Sequence, residues 1–287
     1  MYKSIVTEIV KRQKPKLLLI NASAFSYCNS NLTDEVYLRK WIDNMPMSQN
    51  KLDTVKTIPK NINNDDEKVK DNISDTLYFP LEKYHGNWKD PEAVYTSFVT
   101  RAYMRLSGGG YLKGFYSKTG ITGGRDNLAN IGQPTKEAYV LTDECRAYLK
   151  ELLSYCNKLG IKHVLLLQPP HETQAADKSG LEQIESITRE YGYDFLDLST
   201  DYESIAGIDD SHDFADFEHL NAYGAQKLSS YIGNLVVNQY GIKSDTTGSE
   251  LSRWEKSVKR TKKALKMARE YTDRGEAQVV GEYEAAK

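Results

Sequence analysis

The chain has 287 residues, 39% hydrophobic and 27% charged, with a net charge of −2 and twenty tyrosines against seven phenylalanines. That length and balance fit one sizeable globular domain with insertions or two small ones, and they exclude a global attraction to nucleic acid or an anionic surface. Three scattered cysteines, Cys28, Cys145 and Cys156, exclude a disulfide scaffold and a four-cysteine zinc site, and no apolar run approaches the roughly 18 residues of a membrane-spanning helix.

Residues 2–13 place Tyr2, Ile5, Val6, Ile9 and Val10 on one helical face, and Lys14-Pro15-Lys16 ends that helix. Leu17-Leu18-Leu19-Ile20 reads as a short strand buried on both faces, as in parallel sheets. It empties into a polar loop, residues 21–28, at the edge where open α/β sheets bind ligands. Residues 34–43 and 48–58 predict two helices, and 59–72 predict an exposed charged connector. The aromatic stretch 77–88 contains His85, expected to be packed or at the surface beside Trp88. Pro91 opens a further helix. The Gly-rich residues 107–133 lack the Gly-Lys-Ser/Thr of a phosphate-binding loop and read as a lid or surface loop.

A regular rhythm begins at Thr142. The helix it caps turns Cys145, Tyr148, Leu149, Leu152, Leu153, Cys156 and Leu159 inward and stops at Gly160. A strand over 163–167 follows, with His171 just beyond its end. Ser179 then caps a helix that Gly192 stops, and 193–198 predict a third strand. Strands alternating with helices imply right-handed crossovers and a parallel sheet. Beyond Gly241 a linker leads to a Lys- and Arg-rich helix over 251–271. Its partial stripe of Trp254, Val258, Leu265, Met267 and Ala268 suggests a solvated helix lying across the domain, with a tail that frays from Asp273.

Chemistry concentrates in Asp216-Phe217-Glu218-His219-Leu220-Asn221-Ala222-Tyr223-Gly224. An Asp three residues before a His can present both side chains to one site, where the carboxylate orients the imidazole and stabilises its charged form. This loop follows the third strand and so falls at the same sheet edge as Asn21 and His171. Asp209 and His212 repeat the spacing, but only His219 precedes a helix start. Asn221 is a good N-cap there, and Ala225, Leu228, Ile232 and Leu235 follow at helical spacing. Solvated loop charges are the competing reading of both pairs.

The stretches KPKLLLIN, WIDNMPMSQNKL, FPLEKYHGNW, KLGIKHVLLLQPP and DFADFEHLNAYGAQKLSSYI together resemble the SGNH/GDSL hydrolase superfamily. They look closest to a bacterial branch of membrane-anchored, DltD-like and polysaccharide O-acyltransferase-like proteins. The resemblance covers most of residues 2–240, and only the last stretch is close to diagnostic. It implies an α/β protein with a parallel, three-layer (αβα), flavodoxin-like sheet, N-terminally incomplete, with helical insertions and a C-terminal helix. The hydrolase-like domain would be 1–240, with an insertion at about 44–140, and 241–287 would hold the linker, the basic helix and the tail.

By that resemblance Asp216 and His219 complete a Ser-His-Asp triad in an ester hydrolase or O-acyltransferase. Its substrates would be acyl groups on cell-envelope polysaccharide, or a small acyl ester. No cofactor, metal or nucleic acid is implied, and the location would be membrane-anchored and extracytoplasmic. The family's nucleophilic Ser ends a first strand, and later blocks supply a Gly and an Asn for the oxyanion hole. Here the chain starts at the helix before the third of these blocks, so turnover is expected to be weak or absent. Asn21 is the stand-in for the oxyanion Asn, and His171 is a pocket candidate. Ser23, Ser26 and Cys28 are candidates for a substitute nucleophile, and a non-catalytic remnant that binds glycan or a partner chain is the alternative. Without a first strand, residues 17–20 would keep an open apolar edge that favours self-association, unless a strand from 111–117 closes it.

Overall fold

The computed structural model describes residues 2–26, 35–57, 73, 75–78, 89–92, 95, 99, 112, 115–124, 136–170 and 174–281. Cys28, His85, His171, the connector 59–72 and the glycines at 108–110 lie outside them. In chain order the first elements are α1 (Tyr2–Arg12), β1 (Leu18–Asn21), α2 (Ser23–Ser26), α3 (Glu35–Ile42) and α4 (Gln49–Thr57). Next come β2 (Ser117–Lys118), β3 (Lys136–Ala138), α5 (Asp143–Lys158), β4 (Val164–Gln168), β5 (Gln174–Asp177) and α6 (Ser179–Glu190). The last are β6 (Asp194–Asp197), α7 (Tyr202–Ala206), β7 (Phe214–Asp216), β8 (His219–Leu220), α8 (Ala222–Asn238), α9 (Gly248–Asp273) and β9 (Val279–Val280).

The protein is mixed α/β, and its main sheet is small and parallel, with strand order β1-β4-β6. The central strand β4 (VLLLQ) is buried along its whole length, as a parallel strand covered on both faces must be. At the edge, β1 departs from the continuous burial its LLLI run suggests. Leu18 and Ile20 are buried, whereas Leu19 is 49% exposed. Among the described residues β1 pairs only with β4. Ser117 and Lys118 do not close that edge; they pair antiparallel with β9, Ser117 opposite Val280.

Two compact units divide the chain: residues 1–96, 140–166 and 179–195 form one, and residues 97–139, 167–178 and 196–287 the other. In the first, α5 carries most of the core. The Thr142 hydroxyl caps it by accepting from the Cys145 amide at 3.2 Å. Leu149, Leu152, Leu153 and Cys156 are fully buried along one face of the helix. Each such leucine contributes about 1.5–3 kcal/mol by leaving water. Gly160, at φ 69°, turns the chain out of the helix while its amide and that of Ile161 satisfy the carbonyls of Asn157 and Cys156. Burial pushes the Cys156 thiol up to about 11, so this cysteine packs and does not react. Helix α1 docks through a hydrogen bond between Thr7 Oγ1 and Tyr155 Oη at 2.8 Å and a stack of Tyr2 on Phe25.

In the second unit Leu167, Leu198, Tyr202, Ile208 and Phe214 form one apolar cluster, with Tyr202 and Phe214 edge to face at 5.4 Å. Leu112, Ala222, Ala264, Ala268 and Val280 form another. Here the C-terminal segment does not fray at Asp273. It returns through Gln278, whose carbonyl accepts from the Thr119 amide at 3.0 Å, and Val280 is fully buried. Residues 117–119 are correspondingly a strand segment packed into the unit, with Ser117 and Thr119 buried, and not a lid. Their partner comes from the far C-terminal end of the chain, and nothing in the local sequence announces that pairing.

Candidate functional site

The Asp216-x-x-His219 spacing becomes a hairpin. Strands β7 and β8 pair antiparallel with Phe214 opposite Leu220 and Asp216 opposite His219, leaving Phe217 and Glu218 as the two-residue connection. Directly opposed residues of a hairpin project to one face, which is why this spacing brings the side chains together. Asp216 Oδ1 meets His219 Nδ1 at 2.7 Å and also accepts the Glu218 amide at 3.0 Å, a side-chain turn that fixes the carboxylate. Phe214, buried against Tyr202, anchors the base of the hairpin.

A third group enters from β2. Lys118 Nζ donates to Asp216 Oδ2 at 2.8 Å and lies 3.2 Å from His219 Nδ1. Partial burial works to raise the Asp216 carboxyl, but hydrogen bonds from Lys118, His219 and the Glu218 amide outweigh it and hold the pKa below the ordinary value. Because the folded value is the lower one, the associated stability is present above the unfolded pKa and is lost as pH falls through the folded pKa. Nδ1 can serve only one neighbour at a time. When it carries the proton it donates to Asp216, and Nε2 keeps a free lone pair. When it accepts from Lys118, the proton sits on Nε2 and the ring cannot act as a base there. Among the described residues nothing is hydrogen-bonded to Nε2.

Asn221 holds this arrangement to the next helix. It is fully buried, and its side chain is bonded on both sides. Its Oδ1 accepts from the amides of Tyr223 (2.9 Å) and Gly224 (3.3 Å), capping α8. Its Nδ2 donates to the carbonyls of His212 (2.6 Å) and Gly120 (3.1 Å). The Gly120 bond ties the segment that carries Lys118 to the helix behind His219.

The rival spacing resolves differently. His212 pairs through Nδ1 with its neighbour Asp213 at 2.9 Å, and Asp209 instead accepts from the Ser211 amide and hydroxyl. Asp213 is fully buried and also accepts from Lys227 Nζ at 2.6 Å and the Asp209 amide at 2.8 Å. The His212 ring packs edge on against Tyr223 at 4.7 Å. This pair is committed to holding the loop.

Of the other sequence candidates, Asn21 belongs to the first unit, whereas Asp216 and His219 belong to the second. Asn21 Oδ1 accepts from the Ser23 amide at 2.8 Å and starts the short helix α2. Ser23 is half-buried at the head of that helix. Ser26 is fully buried, and its hydroxyl donates to the Ala22 carbonyl at 3.4 Å, which leaves it no path to a substrate as it stands. Cys28 and His171 fall outside the described residues. Lys118 is the site residue that the sequence did not announce: it lies 98 positions from Asp216 in a stretch that reads as a loop. Among the described residues no group of three or more His, Cys, Asp and Glu side chains is placed to hold a metal ion.

Comparison with protein-family models, with curated proteins and with solved structures finds no match to this chain. The class defined by its own fold and site is therefore a coarse one: a mixed α/β protein with a carboxylate-oriented histidine on a hairpin that leads into a capped helix.

Proposed function

We propose that this chain is an SGNH-like ester hydrolase or O-acyltransferase domain acting on acyl groups of cell-envelope polysaccharide, with His219 as the base and Asp216 as its orienter. The observation that carries the reading is the 2.7 Å contact between Asp216 and His219 Nδ1, made on a face where Nε2 has no protein partner among the described residues. In this chemistry Nε2 takes the proton of a hydroxyl as its oxygen attacks the acyl carbon, then returns it to the leaving alcohol. The sheet order supports the reading as well. The order β1-β4-β6 is compatible with three successive strands of a doubly wound sheet, and among the described residues β1 is unpaired on the side where such a fold would place its central strand. That edge also supports self-association of the chain through β1.

A second reading has its own observation. Lys118 engages both Asp216 and His219, so the cluster can serve as a pin between β2 and the hairpin in a non-catalytic domain that binds glycan or a partner.

Hydrolysis of p-nitrophenyl acetate separates the two. The expected result is weak or absent turnover, and any measurable turnover should fall to the buffer rate in His219→Gln and persist in His212→Gln. Individual alanine replacements at Ser23, Ser26 and Cys28 then ask whether one of them is the nucleophile. A loss confined to one assigns it, and no loss places the nucleophile elsewhere. Turnover indifferent to His219 favours the pin.

A further inference from the structure

Helix α8 carries one polar face along its length. Tyr223, Gln226, Lys227, Ser230, Tyr231 and Asn234 recur at i, i+3, i+4, i+7, i+8 and i+11, so they share that face. Arg269 of α9 and Ile205 and Ala206 of α7 border it, and together these side chains line a hollow of about 480 Å³. That volume lies within the roughly 300–1,000 Å³ of small-molecule sites and exceeds what an inorganic ion fills.

The cation in this hollow is fixed in place but not neutralised there. The Arg269 guanidinium lies over the Tyr223 ring at 4.9 Å and donates from Nη2 to Gln226 Oε1, so its orientation is set before any ligand arrives. Asp273, four residues on, is spaced to pair with it. Instead it accepts from the Tyr223 hydroxyl at 2.8 Å. Among the described residues no carboxylate is ion-paired with Arg269, and its Nε is sealed from solvent without a hydrogen-bond partner. A planar fork so little used has donors left for an anion. Lys227 differs, because its Nζ is committed to the buried Asp213 carboxylate at 2.6 Å.

Beyond the arginine the lining changes from charge to amide and hydroxyl. Gln226 gives its oxygen to Arg269 and keeps its amide donors unused among the described residues. A phosphate has three terminal oxygens to divide between that amide and the guanidinium. Ser230 and Asn234 lie one and two turns farther along α8, about 6 and 12 Å from Gln226. The side chains of Ser230, Tyr231 and Asn234 make no hydrogen bond among the described residues. Hydroxyl and amide groups beside a tyrosine ring suit a hydroxylated body attached to the phosphate.

We propose that this hollow binds a small phosphorylated polyol, with Arg269 and Gln226 taking the phosphate and Ser230, Tyr231 and Asn234 the hydroxylated body. The site is independent of the esterase reading, because neither Asp216 nor His219 lines it.

The test titrates the full chain with glucose 6-phosphate, inorganic phosphate and glucose, followed by calorimetry and by amide NMR. Glucose 6-phosphate is expected to bind on the order of tenfold more tightly than either part alone, and to shift amides near 205–206, 223–234 and 269. Arg269→Gln should weaken both phosphate compounds on the order of tenfold. Ser230→Ala with Asn234→Ala should weaken glucose 6-phosphate and leave inorganic phosphate unchanged. Circular dichroism and thermal melting verify the fold of each variant. If Arg269→Gln does not fold, the double alanine variant, which changes two exposed side chains, and the NMR map decide. The proposal is overturned if glucose 6-phosphate shifts no amide of the hollow, or binds no more tightly than inorganic phosphate. It is equally overturned if the folded variants bind as the parent does.

Discussion

Gly224→Ala is expected to destabilise the chain by about 3 kcal/mol, the upper end of the usual cost of overpacking. A Cβ at this position would lie 2.5 Å from the Asp213 carbonyl oxygen, 2.9 Å from Leu220 Cδ2 and 3.0 Å from Asp213 Cβ. The oxygen cannot yield cheaply, because it accepts from the Asn221 amide at 2.9 Å and its residue is held by Lys227 and His212. Helix α8 must therefore back away from the loop, and Leu220, next to His219, moves with it. Urea unfolding of parent and variant measures the effect. A loss below about 1 kcal/mol would mean that the helix start has more room than this packing allows.

Asn221→Ala should cost a similar amount by a different route. Losing the cap accounts for about 1–2 kcal/mol. The carbonyls of His212 and Gly120 then lose their donor, at about 1 kcal/mol or more each where they stay dry. Asn221→Asp distinguishes the two parts. It keeps an acceptor for the helix amides but turns a carboxylate oxygen toward two carbonyls, so it should rescue little of the loss in the same unfolding measurement. Recovery to near the parent value would show that the cap alone matters and that the tie to Gly120 contributes nothing.

The two replacements show where the sequence was legible and where it was not. The strands and their helices announced themselves through caps and apolar runs, as at Thr142, Leu149 to Cys156 and Gly160, because those signals act within one or two turns. The Asp216 and His219 pair was legible for the same reason: three residues of separation suffice to close a hairpin. The helix start at Asn221 could be read from residue type, but its reach to Gly120 could not. Lys118 was hidden altogether, since its place depends on β2 pairing with β9 at the far end of the chain, through a two-residue ladder too short to leave a pattern. The exposure of Leu19 was likewise unreadable. A run of four apolar residues predicts a strand covered on both faces, whereas among the described residues β1 pairs only with β4 and leaves Leu19 49% exposed. The glycine in the motif had no assigned reason until the approach of Asp213 supplied one.

The central claim is that Asp216, and not Lys118, decides where the His219 proton resides. Nitrogen-15 NMR of the imidazole rings measures this directly, with His219→Gln used to assign the signals. Neutral His219 is expected to carry its proton on Nδ1, leaving Nε2 as the free acceptor that a base requires, and Asp216→Asn is expected to remove the preference. A neutral ring protonated on Nε2, with Nδ1 accepting from Lys118, would contradict it and make the cluster a structural pin.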